Sequence, residues 1–301
     1  LGTPPVSDID GVRLVDALGS GISGVLWSRD ANGLSRDHVF FLDFTGGLKP
    51  YLLHEMDNHI GALTKVAYAP STRFYLEDQR LPATRWKTTL PFPVQVVACV
   101  EVIDHFSKGK LTTEYHYHHG YWDGAEREFR GFGMVEQRDT ESFETYDRSG
   151  LHGAKALFAR VAPHYFSPPT LSKTWFHQGP VGEEFGDWQE LDWSDQYWPG
   201  DPPILKHVDT VNQFLKGLDE RRVKRDALRT LRGSILRTEL YALDGSERAE
   251  HPYTVSESSY GLVEIAPPGD SDTDRLHIFF PHATSQRTTQ WERGDDPMTQ
   301  F

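Results

Sequence analysis

The chain has 301 residues, with Lys+Arg 31 against Asp+Glu 44 and a net charge of -13. That length allows one large domain or two modest ones and buries about 75% of the unfolded surface, and a charged share of 25% with 12% aromatics excludes bulk disorder. No apolar run approaches the roughly 20 residues that span a bilayer, and the acidic balance disfavours nonspecific nucleic acid or anionic lipid, so neither nucleic-acid partners nor direct membrane insertion is expected.

The chain opens on Leu1-Gly2-Thr3-Pro4-Pro5 without a visible signal segment and stops at Thr299-Gln300-Phe301. Both ends read as cut, as in a piece of a longer polypeptide. In Asp8-Ile9-Asp10-Gly11 and Asp16-Ala17-Leu18-Gly19-Ser20-Gly21, acids sit in turns. Calcium loops need oxygen ligands at alternate positions. Counting from Asp16, the third is Leu18 and the ninth Gly24, so the turn scaffold stands without its ligands. With the strand Val25-Leu26-Trp27-Ser28 after it, this segment resembles a degenerate blade of the integrin or VCBS type.

Strands dominate the rest of the chain. Short ones are predicted at Val39 to Phe44, Tyr51 to Glu55 and Leu63 to Ala69, parted by Gly46-Gly47 and Asp57-Asn58. The β-branched run Val94 to Val102 and the alternating Leu111 to His119 read as a hairpin about the Ser107-Lys108-Gly109-Lys110 turn. Asp123-Gly124 then turns the chain into an extended Glu126 to Glu136. Residues 181–203 carry seven acids, no Lys or Arg, and Trp188, Trp193, Tyr197 and Trp198. Such a stretch reads as an ordered loop laid across a sheet by aromatic anchors. Val211, Phe214, Leu215, Leu218, Ala227, Leu228 and Leu231 recur near a 3.6 period and predict one helix over 210–232, closed by Gly233. Its segment 220–232 is locally basic, which reads as a solvated or interdomain face. Strands at Ser234–Tyr241, Tyr253–Ile265 and Arg275–Phe280 complete the chain, split by Asp244-Gly245 and Pro267-Pro268-Gly269.

Few residues invite chemistry. His116 and His118 share one strand face and can converge on a zinc ion, with His119 and Asp123 nearby. No HExxH or Cys pair supplies a third ligand, and the plainer reading is packing among Tyr115, Tyr117, Tyr121 and Trp122. Glu126 and Glu128, with Glu136 and Asp139 nearby, have the spacing of a glycosidase carboxylate pair, about 5 to 9 Å apart. The interleaved Arg127 and Arg130 favour cross-strand ion pairs instead. The single cysteine, Cys99, forms no internal disulfide and lies in an apolar run without a basic neighbour, which reads as an inert buried thiol. No Gly-x-Ser-x-Gly, Walker or dinucleotide motif is present. No catalytic, cofactor or metal residues are therefore assigned, and no enzyme activity is expected.

Several blocks occur together and in order: Leu48-Lys49-Pro50-Tyr51-Leu52-Leu53, Tyr68-Ala69-Pro70-Ser71-Thr72, Leu90-Pro91-Phe92-Pro93-Val94, Lys173-Thr174-Trp175-Phe176-His177 and Leu231-Arg232-Gly233. The most specific is Tyr115-His116-Tyr117-His118-His119-Gly120-Tyr121-Trp122-Asp123-Gly124 running to Phe132-Gly133. Across nearly its whole length the chain resembles the middle region of the SpvB/TcB family, the B components of bacterial insecticidal Tc toxin complexes, related to RHS proteins. The resemblance implies a mainly β fold of antiparallel strands forming a curved, cocoon-like shell wall over 38–301, preceded over 1–37 by the end of a β-propeller. It implies a secreted, structural role in enclosing a cytotoxic polypeptide before translocation. The implied partners are a C component that completes the shell and an A-component pore met through the propeller. It implies no catalytic residue, since the family's autoproteolytic aspartates lie in the C component. A second reading from composition is a secreted carbohydrate-binding or carbohydrate-active β-protein, with Trp188, Trp193 and Trp198 stacking on sugar and Glu126 and Glu128 as acid and base.

Overall fold

A computed structural model describes residues 10–28, 39–106, 110–139, 168–183, 187–205, 207–266 and 277–301. The expectations for Asp8-Ile9, for the turn at 107–109 and for Pro267-Pro268-Gly269 lie outside these residues, as does much of 1–37. The described chain is dominated by antiparallel strands.

Ten strands form one sheet: β4 (Glu55–Asp57), β5 (Ala62–Pro70), β6 (Gln95–Asp104), β7 (Lys110–Asp123), β8 (Glu128–Asp139), β9 (Thr170–Phe176), β12 (Ile235–Ala242), β13 (Thr254–Ala266), β14 (Ile278–Gln290) and β15 (Met298–Gln300). Every neighbouring pair in it is antiparallel. Their spatial order is their order in the chain. Neighbours in sequence pair because hairpin closure costs little entropy. A smaller sheet of β1 (Gly11–Val15), β2 (Gly24–Ser28) and β3 (Val39–Leu42) precedes it. Asp16 accepts hydrogen bonds from the backbone N–H groups of Ser20 (2.9 Å) and Gly21 (2.6 Å), so its carboxylate shapes the β1–β2 turn. Lys49 Nζ donates to the Gly21 carbonyl and Gln95 Nε2 to that of Ser20, which tie this turn to the main chain of strands.

The two long central strands meet in register, with His118 opposite Met134 and His116 opposite Glu136. Their pairing slips between Gly120 and Trp122, where His119 at φ 59° and Gly131 at φ 78° adopt left-handed backbone. That irregularity turns the His119 ring inward, where it is buried.

One helix, α1 (Ser71–Asp78), follows β5 directly. It was not expected, since its Phe74, Tyr75 and Leu76 are consecutive and show no helical period. Tertiary contacts hold it: Ser71 N–H donates to the Val94 carbonyl, and Phe74 is buried with Ala69 and Val96.

Between β9 and β12 the chain leaves the sheet, forms the short pair β10 (Val181–Gly182) and β11 (Trp188–Gln189), and then two helices, α2 (His207–Lys216) and α3 (Arg221–Arg229). The single helix expected over 210–232 is thus broken. Gly217 and Leu218 close the first helix with i→i+3 bonds to the carbonyls of Phe214 and Leu215, and Glu220 is extended at φ -84°, ψ 135°. The reason is a slip in phase. Continuing the 3.6 period beyond Leu218 brings Arg222 to the apolar face, whereas the buried apolar residues are Val223, Ala227, Leu228 and Leu231, with Arg225 buried beside them against Asp123. The break resets the register, and both helices then share one core with Val211 and Leu262.

Two further differences have local causes. The segment 51–54 is irregular, Tyr51 having φ 64°, and only Glu55–Asp57 forms the strand expected at Tyr51 to Glu55. Of the strand expected at Arg275–Phe280, residues 275 and 276 lie outside the described residues, and Ile278–Phe280 begins a strand running to Gln290, long because it pairs along all of β13. No helix among the described residues is long and apolar enough to cross a membrane.

Candidate functional site

The histidine-rich segment of β7 meets α1, and the meeting point is chemically dense. Successive even residues of a strand share a face, so His116 and His118 lie side by side, with rings stacked at 4.5 Å. Above them sits Asp78, the last residue of α1 and buried. Its carboxylate is 3.3 Å from His116 Nε2 and 2.8 Å from His118 Nδ1. Trp86 Nε1 donates to the same carboxylate at 2.6 Å. Burial works against ionisation of Asp78, but the hydrogen bonds from His116, His118 and Trp86 and the charge on His118 outweigh it and hold the carboxyl well below its usual range. For His116 burial likewise opposes the charged form, while its hydrogen bond to Asp78 and the acids Glu136 and Glu77 prevail and raise its affinity for a proton. Asp78 is the third donor that the sequence did not disclose. A helix end 38 residues upstream leaves no periodic trace.

His119 belongs to a different environment. Its Nδ1 accepts from the Lys87 N–H at 3.0 Å, and its ring packs 4.7 Å from Trp193. Burial, then the charges of His118 and Lys87, push it down to about 4, so it is a neutral core histidine at physiological pH.

Asp123 closes the other end of β7. Its Oδ1 accepts the N–H groups of Ala125 and Glu126, and its Oδ2 accepts from both Arg130 and Arg225, each at 2.5 Å. All three side chains are at most 1% exposed. One buried carboxylate thus joins the β7–β8 hairpin to α3.

The carboxylate pair that the sequence offered only as the lesser reading does not assemble. Glu126 lies in the turn rather than on a strand, and pairs with Arg229 at 2.9 Å. Glu128 pairs with Arg232 at 3.0 Å and Arg130 at 3.3 Å. Glu136 pairs with Lys173, and Asp139 accepts from Gln137. Glu126 and Glu128 are each spent on an arginine about a hundred residues downstream, so these two do not form an acid–base pair.

The acidic aromatic loop is anchored to the sheet. Trp193 is 1% exposed and packs with Met134, Trp175 and Leu236. Trp198 meets Trp291 edge-on at 4.9 Å. A ring so enclosed as Trp193 offers no face to a sugar. Carboxylates do as much of the anchoring, which the sequence did not reveal. Glu239 accepts the Trp198 N–H, and Glu257 accepts those of Ile204 and Leu205. Asp201 accepts from Arg287 at 2.5 Å and Trp291 at 2.8 Å, while its backbone carbonyl accepts from Arg237. Arg237, Glu257 and Arg287 are paired in register across β12, β13 and β14, so this ionic row lies on one face.

Cys99 is half-buried rather than fully buried and makes no disulfide. It lines a surface cleft of about 460 Å³ with Arg73, Glu114, Tyr115, His116 and Glu136.

The comparisons with known proteins bear on the whole chain. A family model described as the middle/N-terminal region of the insecticide toxin TcdB matches residues 3–150, and the middle/C-terminal region model matches residues 226–301. Among solved structures, the Photorhabdus luminescens Tc holotoxin pore with a mutated TccC3 matches 99% of the chain at 27% identity and a TM-score of 0.74. The TcdB2-TccC3-Cdc42 crystal structure matches 98% at 26% identity and a TM-score of 0.73. That of TcdB2-TccC3 without its hypervariable C-terminal region matches 98% at 25% identity and 0.69. In each case the chain spans 13% of the length of the matched chain. No curated protein matches it.

Proposed function

Since the chain belongs to the middle region of the insecticidal Tc toxin B components, we propose that it is a wall segment of a hollow β-shell that encloses a cytotoxic polypeptide before translocation. The observation that carries this reading is the ten-stranded antiparallel sheet, laid out in chain order and ending on the short strands β4 and β15. Among the described residues each of these two strands has a neighbour on one side only. Such a sheet is extensible, because unpaired N–H and C=O groups accept a further strand. Met56 at one end and Met298 and Phe301 at the other are exposed, so these ends also carry apolar surface for a continuing wall.

In this reading residues 1–37 close a propeller and 38–301 contribute to the shell. A C component of the TccC3 kind completes the shell, an A-component pore is met through the propeller, and the assembly acts outside the producing cell. The segment works by geometry rather than by catalysis. Buried carboxylates fix loop 187–205 and helix α3 against the sheet, and α2 packs through Val211 in a shared apolar core. The pairing of Glu126 and Glu128 with arginines and the burial of Trp193 weigh against a sugar-directed activity, while Trp188 and Trp198 are half-buried.

The test is electron microscopy of the full-length polypeptide purified with whatever partner co-elutes. A hollow particle with density for this sheet in its wall, and a co-purified segment protected from added protease, is the expected result. A solid particle, with every co-purified segment digested at the rate of free polypeptide, would overturn it.

A further inference from the structure

We propose that Asp78, His116 and His118 form a Zn²⁺ site that clamps α1 onto β7. The three side chains bring one carboxylate oxygen and two imidazole nitrogens within 4.8 Å of one another. Zinc bonds of about 2.0–2.1 Å in tetrahedral geometry place neighbouring ligands about 3.3 Å apart. The separations involve both carboxylate oxygens, 3.3 Å from Asp78 Oδ1 to His116 Nε2 and 2.8 Å from Asp78 Oδ2 to His118 Nδ1, so each imidazole stands at about ligand spacing from one of them. Admitting an ion requires the two stacked rings to tilt until both nitrogens aim at one centre, a rotation the partly exposed His116 can make.

The surroundings have the form of an outer shell. Trp86 Nε1 fixes the Asp78 carboxylate at 2.6 Å, and Glu77 Oε2 stands 3.9 Å from Nδ1 of His116, the nitrogen turned away from the site. Carboxylate and hydrogen-bond partners of this kind orient ligating groups and set the imidazole tautomer. His118 adds a further indication. Its side chain is 7% exposed, and its Nε2 is buried without a hydrogen-bond partner among the described residues. That ring is therefore oriented from Nδ1, the atom aimed at the site.

The donor set, two imidazoles and one carboxylate, suits a borderline ion such as Zn²⁺ rather than the all-oxygen preference of Ca²⁺ or Mg²⁺. His116 also lines the 460 Å³ cleft, which brings solvent to the edge of the site, and a water would complete the tetrahedron. Binding displaces the protons now shared between each imidazole and Asp78, leaving neutral rings on a cation and an ionised carboxylate.

The experiment uses the full-length polypeptide, expressed without a histidine tag, stripped with chelator, and titrated with Zn²⁺ against a chromophoric competitor. Wild type should bind one equivalent more than His116→Asn, whose side chain is 31% exposed and whose loss leaves the core intact. Affinity at this site should fall at least ~100-fold in that variant and in Asp78→Asn, and by ~10-fold in Trp86→Phe, which removes only an orienting partner. Co²⁺ should give visible d–d bands in wild type that are absent in His116→Asn. Equal zinc stoichiometry and affinity in wild type and His116→Asn, or a wild type that takes up neither Zn²⁺ nor Co²⁺, would overturn the proposal.

Discussion

Replacing Asp123 by Ala removes one carboxylate that three parts of the chain share. Arg130 on β8 would keep the Gln178 and Pro180 carbonyls at 3.4 and 3.3 Å and the Glu128 carboxylate, whereas Arg225 on α3 would keep only the Gly182 carbonyl at 3.5 Å among the contacts described. Both guanidinium groups are at most 1% exposed, so the variant leaves a buried cation without its counter-ion. Breaking such a pair from one side costs about 3–5 kcal/mol. If that cost falls on the docking of α3, its opening equilibrium shifts by roughly 140- to 4,000-fold, taking 1.4 kcal/mol per decade. Hydrogen exchange read by mass spectrometry on peptides covering Arg221–Arg229 reports this shift directly when exchange is limited by opening. Peptides in β5 and β6 should be unchanged and serve as the internal reference. Asp123→Asn separates the two roles of the residue, since an amide oxygen can still cap the 123–126 turn but carries no charge. Protection of α3 that changes less than about five-fold in Asp123→Ala would refute the reasoning, and would mean that Val223, Ala227, Leu228 and Leu231 hold the helix unaided.

Three more outcomes are expected from the same structure. Trp193→Ala should destabilise the fold by about 3–5 kcal/mol, and Gly133→Ala should displace the same indole, because a Cβ there would stand 2.5 Å from the Trp193 ring; an unaltered melting temperature and tryptophan emission in Gly133→Ala would contradict the packing. Asp201→Ala strands the Trp291 indole N–H and leaves Arg287 with only Glu257, at 3.0 Å, so at about 1–3 kcal/mol for a lost buried partner protease cleavage within 198–205 should accelerate at least ~5-fold, and an unchanged cleavage rate would argue against an ionic anchor. The phenols of Tyr197 and Tyr241 are held above their usual range, by burial first and for Tyr241 also by the charge of Glu239 and the hydrogen bond to it. Unfolded tyrosines ionise near ~10, so the unfolded state binds fewer protons above that pH. The stabilisation is therefore complete below pH ~10 and lost as pH rises beyond it. Phenolate absorbance from these two should appear together with loss of tertiary structure, and their titration near pH ~10 in a folded protein would refute the assignment.

What the sequence determined was the part of the fold that depends on neighbours in the chain. Alternation in Leu111 to His119 and the β-branched run at Val94 marked strands of one hairpin, and the blocks around His116-Tyr117-His118-His119 carried the family. Pairs such as β4 with β5 and β7 with β8 needed no more than a turn, whereas β9 meets β12 only after the excursion through α2 and α3. Side chains anchored by distant partners were illegible in the same text. Helix α1 has no helical period, the break after Lys216 shows only as a one-residue slip of phase, and Glu126 and Glu128 look like a catalytic pair until Arg229 and Arg232 arrive from α3 and its end. Asp78 reaches His116 and His118 across 38 and 40 residues. Periodicity records which face of an element is buried. Which charge meets which inside that burial is decided only when the sheet brings remote segments together, because an ion pair or metal ligand set depends on separation in space and leaves no repeat along the chain.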